Sequence, residues 1–184
     1  MRGKTGELLH MLLTLSAVMT ALTVTLAVAD GVPRLLAGTP SGVVHAQDLD
    51  DAQRRLKTHL FLPPYFPDTY AWPPARIELK LTQPVAAAFS FTTRHGRSEV
   101  LRLVEGLDPA APLDPDLWAA GERVSAATHA DVAGQETTVW RVLVPDGTFW
   151  HELVFEVKGR RFGLRSSGSI EDLLRMARSL ELAR

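Results

Sequence analysis

The sequence predicts an α+β fold: an antiparallel sheet of about six strands packed with a C-terminal helix and preceded by an N-terminal apolar helix. Three observations carry that reading. Runs of apolar residues at alternate positions recur between Arg76 and Leu164, turn residues separate them, and a capped amphipathic stripe follows at Ile170–Leu180. No helical pattern is interleaved with the strand-like runs, so the βαβ arrangement of a parallel sheet is not indicated.

The chain has 184 residues, 20 basic and 21 acidic side chains, and no cysteine. Its balanced charge gives no electrostatic footprint for nucleic acid. Without cysteine there are no disulfides, thiolate metal sites, cysteine nucleophiles or lipid-bearing cysteine anchors. Residues 1–30 read as a signal peptide or an N-terminal membrane anchor. Arg2 and Lys4 precede Leu8 to Ala29, a stretch with no charged residue. Signal peptides have apolar regions of roughly 7–15 residues and membrane spans need about 20, so the length favours an anchor. Ala27-Val28-Ala29 ahead of Asp30 favours cleavage instead. Either way the basic N-terminus stays inside and the chain beyond residue 30 is exported. The expected location is therefore extracytoplasmic, anchored in the cytoplasmic membrane through residues 8–29 or secreted after cleavage near Ala29.

Residues 31–47, rich in glycine, proline and small side chains, read as a flexible linker, and 48–184 as the exported domain. A single core of about 135 to 140 residues is of ordinary size. Asp48 to Leu60 predicts a short helix, with an aspartate at its start and a stripe of Ala52, Leu56 and Leu60. Phe61 to Pro74, FLPPYFPDTYAWPP, has too many prolines for a helix or a central strand and too many aromatics for a free linker. It reads as a rigid loop. Its aromatics serve either as binding anchors or as a plug over one end of a sheet, and the plug is preferred.

Arg76 to Leu81 is a strand, Val85 to Phe91 resumes the alternation after Pro84, and Ser98 to Val104 follows the His95-Gly96 turn. Residues 106–121 read as a loop, with Asp114 to Trp118 as a short helix start. Val124 to Val132 and Thr138 to Val144 are further strands. Along the next, Phe149, His151, Leu153, Phe155 and Val157 share one face and Trp150, Glu152, Val154 and Glu156 the other. Lys158-Gly159 predicts a hairpin leading to Phe162 and Leu164. Ser169 is the expected N-cap of the last helix, with Asp172 three residues on.

The run TFWHELVFEVKGRRFGLRSSGSIEDLLRMARSL resembles the closing motif of a bacterial family of extracytoplasmic domains of unknown function, often found C-terminal in anti-sigma-factor-like membrane proteins. Leu62-Pro63-Pro64-Tyr65-Phe66-Pro67 is similar to the family's usual opening, so the likeness spans residues 60–181. It implies an exported sensing or interaction module with an envelope protein as partner. Family members that regulate a sigma factor carry a cytoplasmic sigma-binding region. The short stretch before Leu8 leaves no room for one, so the chain is not expected to be a complete anti-sigma factor. A more distant likeness, to half-barrel lipoprotein carriers, implies a curved sheet with a lipid-accepting concavity.

The search for chemistry yields no catalytic motif, and no cofactor is expected. His151-Glu152 lacks the second histidine of a zinc-protease helix. His129, Asp131 and His151 offer metal-ligand types, and Ser166, Ser167 and Ser169 offer hydroxyls, but none lies in a recognised motif. Glu152 and Glu156 read as residues of a solvent face. The principal expectation is a non-catalytic sensor or interaction domain presenting Tyr65, Phe66, Tyr70, Trp72 or Trp150 to a partner. The alternative is a carrier or chaperone for an apolar ligand or lipoprotein, which needs a lined cavity. Oligomeric state is not legible in the sequence.

Overall fold

The computed structural model describes residues 42–118 and 120–182. The apolar segment 8–29 and most of the expected linker lie outside the described residues. The described chain forms one antiparallel sheet of eight strands in the order β1-β2-β3-β4-β8-β7-β6-β5. They are β1 (Val43–Ala46), β2 (Arg76–Lys80), β3 (Ala86–Thr92), β4 (Glu99–Gly106), β5 (Glu122–Val132), β6 (Gln135–Leu143), β7 (Phe149–Val157) and β8 (Arg160–Ser166). Helix α1 (Leu49–Leu56) follows β1; α2 (Ile170–Ser179) and a short 3-10 turn (Leu180–Leu182) follow β8. Two four-stranded meanders are thus joined where β4 pairs with β8.

The sheet has two more strands than the expected six, and the fold is mostly β. One extra strand falls in the expected linker: Val43–Ala46 pairs with Ile77–Lys80. Its order comes from ladder bonds to a distant strand, which its own composition does not announce. The tight hairpins follow local chemistry. Lys158 and Gly159 both take positive φ, as do Ala133 and Gly134, the geometry of a two-residue turn matched to strand twist.

One face of the sheet carries the main core. Ile77, Phe89, Leu103, Leu164 and Leu153 form a continuous cross-strand row, and all are buried. Onto it pack Leu173, Met176, Ala177 and Leu180 from the C-terminal helical segment, and Ala52 from α1. Burying each large apolar side chain contributes roughly 1.5–3 kcal/mol. Ser169 caps α2, its Oγ accepting the Asp172 N–H at 3.0 Å and donating to the Asp172 carboxylate at 2.8 Å. Only the serine half of the expected capping box forms. Asp172 Oδ1 instead accepts the Tyr65 hydroxyl at 3.0 Å. Asp48 caps α1, which stops at Leu56, before the expected Leu60, with Lys57 in the left-handed region.

The opposite face is covered by residues 107–118, which follow β4 in the chain. Asp114 to Trp118 is a hydrogen-bonded turn rather than the expected helix start. Leu113, Leu117 and Trp118 settle on Ala86, Ala88 and Val104. Small side chains on the sheet let the crossing chain come close. Under it the charges are buried and paired, so the expectation that Glu152 faces solvent is corrected. Glu152 is 1% exposed. It binds Arg165 through Nε at 3.0 Å, Arg123 through Nη2 at 2.6 Å and the Trp118 indole N–H at 3.0 Å. Arg102, also buried, donates to Glu78, Ser90 and the Leu117 carbonyl.

Candidate functional site

The segment from Phe61 to Pro74 lies against the helix-bearing face and is fixed at several points. The Phe61 N–H donates to Glu105 at 2.9 Å. Tyr65 reaches Asp172, and Arg175 stacks on its ring at 4.1 Å. The Tyr70 hydroxyl is 2.8 Å from Ser166 Oγ. Backbone bonds then tie the segment alongside the β3–β4 turn: Ala71 N–H to the Thr92 carbonyl at 2.7 Å, Arg94 N–H to that of Thr69 at 3.0 Å, and Ala75 N–H to that of Ser90 at 2.8 Å.

These contacts divide the five expected surface aromatics. Tyr70 is buried and offers no surface, a correction to the expectation, because its ring closes the core beside Ser166. Tyr65 is half-buried, engaged by α2. Trp150 is half-buried on the other face of the sheet, its indole N–H donating to Thr148 Oγ1 at 3.2 Å. Phe66 and Trp72 are brought together, with ring centroids 5.7 Å apart, and both pack on buried Phe91. Trp72 is 60% exposed. The segment is therefore a plug through Tyr65 and Tyr70 and a presented surface at Trp72.

Pro64, Phe66, Pro67, Asp68, Tyr70, Ala71, Trp72 and Arg94 enclose a slot of about 240 Å3. Arg94 is invisible to sequence reasoning as a site residue. It is brought in by the isolated bridge between Tyr70 and Thr93, and its guanidinium has no hydrogen-bond or ion-pair partner among the described residues. His95 and Arg97 in the same turn are exposed. A second cleft, of about 560 Å3, lies beside Leu56, Pro84, Val85, Leu107 and Pro112, with Gln83 and Asp108 as its polar members.

The residues weighed for catalysis stay apart. His151 Nδ1–H donates to the Gly168 carbonyl at 3.1 Å. Ser166 is buried, its hydroxyl shared among Tyr70, the Val100 carbonyl and the Gly168 N–H. His129 lies 3.1 Å from Thr138 Oγ1 on the outer hairpin. Among the described residues no group of three or more His, Asp or Glu side chains gathers where a metal would sit. One further titratable group, not signalled by the sequence, is Glu105. It is fully buried on the core face, and desolvation pushes its carboxyl up to about 7 against the opposing pull of Arg160.

The fold and slot together define a mostly β domain with a packed core, an internally paired polar face and one rigid aromatic edge. The chain matches no protein-family model, no curated protein and no solved structure. Among the described residues no helix is long and apolar enough to cross a membrane.

Proposed function

We propose that the chain is an exported, membrane-anchored, non-catalytic interaction domain of the cell envelope, and that it meets its partner at the Trp72 slot. The observation that carries this reading is the exposure of Trp72 on a segment held by backbone hydrogen bonds on either side of it. An exposed indole held in one place costs hydration in the free protein and loses little entropy on binding, the condition of an interface anchor. The apolar stretch 8–29 supplies the anchor, and the likeness to domains behind anti-sigma-factor-like regions makes an envelope protein the natural partner.

A second reading, a carrier for an apolar ligand, is favoured by the cleft beside Leu56 and Pro84. Its size lies within the roughly 300–1,000 Å3 typical of ligand sites, at about 560 Å3. Intact mass of the protein taken gently from its host's envelope, native and then denatured, separates the two. The interaction domain gives a full-length mass in the membrane fraction. A mass beginning near Asp30, with extra native mass lost on denaturation, establishes the carrier instead.

A further inference from the structure

We propose that the slot receives an extended peptide segment of a partner protein, seating one apolar side chain against Phe66 and Trp72 and an adjacent carboxylate on Arg94. This rests on the interaction-domain reading and adds the chemistry of the partner.

Size is the first argument. A volume of about 240 Å3 falls short of the roughly 300 Å3 at which small-molecule sites begin. It suits one side chain of a longer ligand. The walls are Pro64, Pro67 and the two aromatic rings, so that side chain is apolar.

Charge is the second. Arg94 is the one cation lining the slot, and its guanidinium is uncommitted among the described residues. A planar guanidinium takes a carboxylate through two parallel hydrogen bonds. Exposed Arg97 in the same turn adds to the positive field on that side. Among the described residues Asp68 is the one acid lining the slot. It sits on the opposing chain segment and is suited to an N–H or ammonium of the same peptide. The slot thus offers one cation, one acid and an apolar lining of proline and aromatic rings to an extended chain.

Preorganisation is the third. The bonds Ala71–Thr92 and Arg94–Thr69 hold the two walls at a fixed spacing, so little ordering is left for the bound state.

The test uses arrays of short synthetic peptides, each with one Phe or Leu followed by Glu, and matched arrays with Lys in place of Glu. They are probed with the purified full chain. The Glu arrays are expected to bind at least about tenfold more tightly than the Lys arrays. Trp72→Ala removes that binding, and Arg94→Glu reverses the preference toward Lys. Both positions are exposed, and the unfolding midpoint of each variant verifies the fold. Equal binding of the two arrays, or an unchanged preference in Arg94→Glu, overturns the proposal. So does Trp72-dependent binding to phosphatidylglycerol vesicles over phosphatidylcholine vesicles with no peptide preference, which assigns the surface to lipid. None of these results depends on cellular location, so a failure here leaves the export reading to its own experiment.

Discussion

Gly163 lies so close beneath Trp118 that a β-carbon on the glycine would stand 2.8 Å from the indole Cη2. The same atom would clash with a Leu113 methyl. A flexible leucine end can move aside, but the indole is held by its bond to Glu152 and by Arg165 at 4.7 Å from its ring. Gly163→Ala is therefore expected to cost about 1–3 kcal/mol through overpacking, read as a lowered midpoint in thermal unfolding. An unchanged midpoint would mean that the crossing segment 107–118 is not seated on β8.

Removing the acid at the centre of the covered face costs more. Glu152→Ala leaves Arg165, itself 3% exposed, without its carboxylate. Breaking one side of a buried ion pair costs about 3–5 kcal/mol, measured by urea unfolding. Replacing exposed Glu136 in the same way is expected to stay within about 0.5 kcal/mol, which makes it the control.

Glu105 sets a pH dependence of definite sign. Its carboxyl is raised from 4.5 to about 7 in the folded protein, chiefly by burial. The folded state thus binds a proton that the unfolded state releases first. Its contribution to stability is full below the unfolded value and is lost as pH rises through the folded one. Across that window the loss reaches about 3 kcal/mol. The cleanest measurement is the stability difference between wild type and Glu105→Gln from about pH 4 to about pH 8. The variant should gain relative to wild type as pH rises, because a neutral amide has no proton to lose. A flat difference contradicts the assignment.

The cap of α2 supplies a smaller effect. Ser169→Ala removes the acceptor for the Asp172 N–H and is expected to cost about 1 kcal/mol. Ser169→Thr, which keeps a hydroxyl that can accept that N–H and donate to the Asp172 carboxylate, should recover most of that loss. Chemical denaturation of the three proteins side by side decides it.

What can be read in the sequence divides along local and non-local lines. β2, β7 and α2 are legible because alternation or helical spacing lies within each segment, and Ser169 is recognisable without tertiary context. β1 is not, since Val43–Ala46 becomes a strand only through its pairing with β2. Glu152 reads as a solvent-face residue for a related reason. Alternation tells which residues share a face but not what covers it, and here the cover is a proline-bearing loop anchored by Leu113, Leu117 and Trp118 without a period. Trp72 stands out by composition. Arg94 does not, because only the bridge between Tyr70 and Thr93 brings it to the slot.

The proposed location of the folded domain outside the cytoplasm has a direct test, because the chain has no native cysteine. Ala110 is exposed on the crossing segment. An Ala110→Cys variant of the full chain, expressed in its host, is treated with a membrane-impermeant maleimide before and after lysis. Labelling is expected in intact cells, with the outer layers made permeable where the host has them. Labelling that appears only after the cytoplasmic membrane is broken would contradict that location.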